Sequence, residues 1–190
     1  MDNREFFNGV ASKWDEMCKH DDNKLKKIIK LSSIKEGSKI LDVGTGTGIL
    51  ISYLLNTFPQ KIIAVDISEN MIAIAKNKYK DNKVQFIATD IMTYHEHEYD
   101  YIFLYSVYPH FKDKEALLYH LSTLMNIGGK LIIAHSESKE KINEVHKSSE
   151  HVSNDMLPSG EKTANIMSKY LKVNTVIDND EIYYVSGVKE

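Results

Sequence analysis

Short apolar runs alternate with longer segments in which apolar residues return every three or four positions, and this alternation continues along most of the chain. Lys39-Ile40-Leu41, Lys61 to Val65, Val84 to Ala88, Tyr99 to Leu104 and Lys130 to His135 read as strands short and apolar enough for a buried parallel sheet. Between them, Ile49 to Asn56 is helix-like. Ser68 caps a second helix carrying Met71, Ile72, Ile74, Ala75 and Tyr79, and Asp113 opens a third carrying Leu117, Leu118, Leu121, Leu124 and Met125 before Gly128-Gly129 ends it. Residues 138–149 and, behind Pro158, residues 159–171 read as two more helices. Val173 to Ile177 and Ile182 to Val188, joined by Asp178-Asn179-Asp180, read as an antiparallel pair. The pattern predicts an α/β fold: a doubly wound sheet of seven strands, mostly parallel, closed by an antiparallel C-terminal strand.

The 190 residues, 42% of them hydrophobic, suit one domain spanning 1–190, and the apolar positions in 1–36 make that stretch a helical cap over the sheet. The net charge of −3 provides no basic field, so a nucleic-acid partner is not expected. No apolar run approaches the roughly 20 residues of a membrane span, and Met1 to Glu5 lacks a signal-peptide core, so the expected location is cytoplasmic. Cys18 is the single cysteine, which excludes an internal disulfide and a multi-thiolate metal site; no base is placed beside it, and it reads as a structural passenger. Nothing in the sequence sets the oligomeric state.

The chemistry begins where the first strand ends, at Asp42-Val43-Gly44-Thr45-Gly46-Thr47-Gly48. Glycines between a strand and a helix let the backbone approach a ligand and leave amide protons pointing at it. The spacing is one residue tighter than the Gly-x-Gly-x-x-Gly of dinucleotide-binding turns. The second strand runs into Asp66 and the third into Thr89-Asp90, so three successive strands end in carboxylates. Carboxylates there suit a ligand with hydroxyls, an exocyclic amine and a cationic centre better than a pyrophosphate.

On these residues the chain resembles the class I S-adenosylmethionine-dependent methyltransferases, a Rossmann-like family, and Leu124 to Leu131 is similar to that family's entry to the fifth strand. Phe7 and Ala11-Ser12-Lys13-Trp14-Asp15 resemble the lid segment of its ubiquinone/menaquinone-type members, with Trp14 in place of the usual tyrosine. The resemblance implies S-adenosylmethionine as cofactor and a small-molecule acceptor. It places Asp42, Gly44, Thr45, Gly46 and Gly48 against the methionine part, with Trp14 either donating its indole N–H or anchoring its helix; Asp66 with Ile67 at the ribose; and Asp90 with Ile91 at the adenine. Met71 and Tyr105 complete the cofactor-binding set.

Methyl transfer from a sulfonium is an in-line displacement that requires a positioned acceptor and, for a protic one, a base. The fourth strand leads to Tyr105-Ser106-Val107-Tyr108-Pro109-His110-Phe111 and the fifth to Ala134-His135-Ser136, so His110 and His135 are the expected catalytic pair, either as bases or as pocket lining. His135, His146 and His151, interspersed with Glu144, Glu150 and Asp155, raise the alternative of a metal; without a His-Glu-x-x-His helix or a thiolate cluster, none is assigned. Two other functions compete: a module that binds S-adenosylmethionine without transferring its methyl, and a nicotinamide-dependent oxidoreductase. The latter lacks the glycine spacing and any Tyr-x-x-x-Lys pair. Base methylation would call for Asn/Asp-Pro-Pro-Tyr/Phe where the chain reads Ser106-Val107-Tyr108-Pro109.

Overall fold

The computed structural model describes residues 2–190. Its strands are β1 (Lys39–Val43), β2 (Lys61–Asp66), β3 (Val84–Ala88), β4 (Tyr99–Tyr105), β5 (Met125–His135), β6 (Lys172–Asp178) and β7 (Tyr183–Val188). They form one sheet in the order β3-β2-β1-β4-β5-β7-β6. Pairs among the first five are parallel, and β7 runs antiparallel to both β5 and β6. This is the expected seven-stranded α/β arrangement. The order turns back between β1 and β4, which opens a crevice beyond their carboxyl ends.

Side chains alternate across the sheet and sort the helices by face. Leu41, Val43, Ile102 and Leu104 pack with α6 (Lys114–Leu124) and α8 (Gly160–Met167), through Leu117, Leu121 and Met167. Ile40, Ile62, Ala64 and Phe103 pack with α3 (Asp22–Ser32), α4 (Ile51–Leu55) and α5 (Glu69–Lys78), through Leu25, Ile28, Leu54 and Ile72. Each such side chain contributes roughly 1.5–3 kcal/mol on full burial. The caps are local: the side chains of Ser68, Asp113, Ser138 and Ser159 accept backbone protons at the starts of α5, α6, α7 (Lys139–Lys147) and α8.

Several boundaries differ from the sequence reading, among them the end of α8, at Met167 rather than residue 171. After Gly48 the chain stays in turns, and the helix begins at Ile51 rather than Ile49. Met125 opens β5 instead of finishing α6, so the two glycines lie inside the strand. Opposite a register shift in β4, a β-carbon on Gly129 would stand 2.9 Å from the Tyr99 carbonyl, so this irregular stretch needs a residue without one.

The N-terminal stretch supplies α1 (Asn3–Val10) and α2 (Trp14–Met17) before α3. Whereas α3 is docked by Leu25 and Ile28, α1 buries no residue fully and lies across the crevice mouth. Among the described residues, no helix is long and apolar enough to cross a membrane.

Candidate functional site

A cavity of about 850 Å³ occupies the crevice at the carboxyl ends of β1, β2, β4 and β5. Of the residues expected to bind or act, Trp14, Gly44, Gly46, Asp66, Ile67, Met71, Asp90, Ile91, Tyr105, His110 and His135 line it. Asp42, Thr45 and Gly48 stand behind its wall.

The glycine turn divides its work among residues. Gly44 adopts φ +69°, and a β-carbon there would come within 2.7 Å of Val107 Cβ. Val107 follows Ser106, which lies just past the end of β4 and takes the left-handed region at φ +55°. Gly46 also has positive φ, yet the nearest atom to a β-carbon would be Trp14 Nε1 at 3.6 Å; the space in front of this backbone faces the cavity. Gly48 instead admits the Tyr79 ring, which a β-carbon would meet at 2.8 Å. Behind the turn, Asp42 accepts the Thr45 hydroxyl proton at 2.7 Å, and burial pushes its carboxyl up to about 7. The pair therefore braces the loop from inside the protein.

Asp66 is buried at the end of β2. Its Oδ2 accepts from the Gly46 amide at 2.8 Å and its Oδ1 from the Ser68 amide at 2.9 Å. Burial raises its carboxyl against the lowering effect of those amides. Asp90 is exposed, and its Oδ1 accepts from the Met92 amide at 2.9 Å. Ile67, Met71 and Ile91 supply apolar wall around the two acids.

The cap is latched to this wall. Asn8 of α1 accepts from the Ser68 hydroxyl at 2.6 Å and the Asn70 amide at 3.1 Å, and donates to Glu69 at 3.0 Å, all at the start of α5. Thr47 donates to Asp15 at 2.5 Å, and Asp15 also pairs with Lys78. The second edge of α1 is aromatic: Phe7 packs edge-on against both Trp14 and His110, and Phe6 against His151.

Imidazoles cluster on the far side of the cavity. His110 donates from Nδ1 to Oδ2 of Asp155 at 2.8 Å and stacks on His146, with ring centroids 5.1 Å apart. His146 Nδ1 bonds to the Asp155 carbonyl. His135 is fully enclosed and lines the cavity, and neither of its ring nitrogens has a protein partner among the described residues. Burial, with His110, His146 and His20 nearby, drives its pKa down to about 3 and keeps the ring neutral. Toward the cap, the Tyr105 hydroxyl bonds with His20 Nδ1 at 2.7 Å and with Ser136 at 2.8 Å, and burial pushes the phenol up to about 12. Among the described residues, no group of three His, Cys, Asp or Glu could hold a metal ion.

Sequence reasoning did not find Asp155 as the partner of His110, nor His20 and Ser136 as partners of Tyr105. Asp155 stands out only in the metal alternative with His146 and His151; it lies 45 residues from His110 in a stretch with neither helical nor strand periodicity, so no local signal ties the two together. The Val107 contact was likewise hidden, although the glycine it requires was conspicuous.

A family model described as "Methyltransferase domain" matches residues 34–185. Malonyl-[acyl-carrier protein] O-methyltransferase 1 of Ilyobacter polytropus is 35% identical over 134 residues, which cover 68% of this chain and 49% of that protein. Phosphoethanolamine N-methyltransferase 2 of Caenorhabditis elegans is 31% identical over 117 residues, covering 59% of this chain and 27% of that one. The aligned region thus spans about half the length of the first relative and about a quarter of the second. Among solved structures, the N-methyltransferase NodS from Bradyrhizobium japonicum, in complex with S-adenosyl-L-homocysteine, superposes with a TM-score of 0.78 at 14% identity, over 100% of this chain and 99% of that one. With the family model covering most of its length, the chain belongs to the methyltransferase-domain family, the class I S-adenosylmethionine-dependent methyltransferases.

Proposed function

We propose that the chain uses S-adenosylmethionine to methylate a small-molecule acceptor by in-line displacement. The observation that carries this reading is the meeting, in one cavity, of the open Gly46 backbone, the buried Asp66 carboxylate and the exposed Asp90 carboxylate. Two acids and an apolar wall suit a nucleoside: carboxylates accept from ribose hydroxyls and an exocyclic amine, while Ile67, Met71 and Ile91 enclose a flat base. The indole N–H of Trp14, beside Gly46, is placed to donate to an amino-acid carboxylate. When bound, the cofactor supplies a methyl group on a cationic sulfur.

Asp42, Thr45 and Gly48 act indirectly here, by shaping the turn. Asp66 does two things at once, holding the Gly46 amide and offering its remaining lone pairs to the ligand. The α1 cap excludes water from the reacting centre and is pinned on both sides of the cavity. His110 and His135 face the acceptor side. In this reading the chain is one methyltransferase unit with residues 1–36 as its cap, and it works in the cytoplasm without a nucleic-acid partner. The relatives' names differ in acceptor, malonyl-acyl carrier protein in one and phosphoethanolamine in the other, so neither is carried over.

Calorimetric titration with S-adenosylhomocysteine and with NAD tests the reading. Saturable binding of the former and none of the latter is expected; the reverse preference refutes it. Release of S-adenosylhomocysteine from S-adenosylmethionine in the presence of acceptors then separates a transferase from a non-transferring binder.

A further inference from the structure

The acceptor side of the cavity holds three imidazoles, and partners dictate the tautomers of two of them, His110 and His146. The Asp155 carboxylate, held below the usual range by the hydrogen bond from His110, only accepts, so His110 carries its proton on Nδ1. The Asp155 carbonyl likewise only accepts, so His146 also carries its proton on Nδ1. The Nε2 atoms of both rings are then lone pairs, and neither has a protein partner among the described residues. His135 adds a neutral ring with two unpartnered nitrogens, nearly fully buried and facing the same space. A ligand that satisfies this wall must bring a hydrogen-bond donor. The rest of the wall is apolar, with Phe7 edge-on to His110 and Phe6, Ile142 and Val152 beside it.

An anionic head group finds little here. The chain's single arginine, Arg4, pairs with Glu69 away from the cavity wall, so a bidentate phosphate grip is missing. Three lysines line the cavity, Lys19, Lys112 and Lys141, of which Lys141 pairs with Glu137; four acids, Glu16, Asp66, Asp90 and Glu137, outnumber them on the wall.

Resting on the methyltransferase reading, we propose that the acceptor is a neutral phenol or aryl thiol, that His110 takes its proton, and that Asp155 is the positioning residue that makes this imidazole a base. His110 Nε2 receives the proton while the electrons of the O–H or S–H bond stay on the acceptor atom. That atom's lone pair forms the bond to the methyl carbon as the carbon–sulfur bond of the donor breaks toward sulfur. One positive charge enters on the sulfonium and one leaves on the His110 imidazolium, where the Asp155 carboxylate faces it. The proton then passes to water. The charged and titratable groups that sense His110 are Asp155, His135 and Asp66, with His146 stacked on it and Lys114 acting on Asp155.

The test uses the full chain saturated with S-adenosylhomocysteine and, for turnover, S-adenosylmethionine. The probes are 4-methylphenol, which is neutral at neutral pH, thiophenol assayed below its own pKa, benzoate and phosphoethanolamine. Nitrogen-15 spectra of the histidines are expected to show His110 and His146 as Nδ1–H tautomers whose signals move with the two protic probes and not with the two anionic ones. Only the protic probes should be methylated. His110→Gln should lower kcat by about 10²–10⁴-fold with S-adenosylhomocysteine affinity intact. Asp155→Asn, which can still accept from Nδ1, should keep the tautomer but move the acid limb of the kcat profile to lower pH; Asp155→Ala should lose the tautomer as well. The proposal is overturned if neither protic probe shifts the signals, if the anionic probes are the ones bound or methylated, or if both Asp155 variants leave the profile unmoved. Failure to bind S-adenosylhomocysteine would instead remove the methyltransferase reading itself.

Discussion

Oδ2 of Asp66 accepts the amide proton of Gly46 across 2.8 Å, so the acid that ends β2 also braces the glycine turn that ends β1. In the proposed function, one carboxylate would thereby couple the shape of the loop to the recognition of the ligand. Asp66→Ala is expected to cost about 1.5–3 kcal/mol of S-adenosylhomocysteine binding, and Asp66→Asn, which can still accept from Gly46, distinctly less. Calorimetry on the two variants decides this; equal affinity in wild type and Asp66→Ala removes Asp66 from the site.

Gly44 and Gly46 are separable by the same single-methyl change. Gly44→Ala drives a β-carbon into Val107 and keeps a positive φ, so it should destabilise the fold by about 2–4 kcal/mol. Gly46→Ala meets only the Trp14 nitrogen at contact distance, so it should cost about 1 kcal/mol of stability but weaken S-adenosylhomocysteine binding about tenfold or more. Urea melts and calorimetry run side by side would contradict this division if both variants lost stability and affinity alike.

Asp42 and His135 should give the ligand-free protein opposing pH dependences. The Asp42 pKa rises from 3.8 to about 7 on folding, so its contribution favours the folded state at low pH and is lost as pH climbs from about 4 to about 7. The His135 pKa falls from 6.5 to about 3, so its contribution is present above 6.5 and is lost as pH drops toward 3. Each is on the order of 3–5 kcal/mol, and across roughly pH 4 to 6.5 they offset each other. Thermal melts of Asp42→Asn should therefore gain stability with rising pH in that window, and those of His135→Phe should lose it. Variant slopes identical to wild type would show that neither group is shifted as its burial requires.

The Asn8 side chain makes three hydrogen bonds to the start of α5 and is the polar latch of the cap. Asn8→Ala should raise the S-adenosylhomocysteine dissociation constant roughly tenfold, mostly through a faster off-rate, with a small change in melting temperature. Hydrogen exchange in α1 should accelerate in step. A slower on-rate with an unchanged off-rate would place the effect outside the cap.

The repeated local pattern determined much of this protein. Apolar runs of strand length, capping residues such as Ser68 and Asp113, and an acid at each of three strand ends are properties of near neighbours in the chain, and they specified the elements, the doubly wound sheet and the crevice. Local sequence could not divide the labour among residues that looked alike. Gly44, Gly46 and Gly48 share one spacing, yet a valine from β4's end, open cavity and a tyrosine from α5's end occupy the places in front of them. The two bonds that decide the acceptor side, His110 to Asp155 and His146 to the Asp155 carbonyl, depend on how the stretch between α7 and α8 folds back over the loop after β4. That stretch has no period to read. Its conformation follows from which buried polar atoms need partners once the sheet and the cap are assembled, and only the tertiary structure settles that.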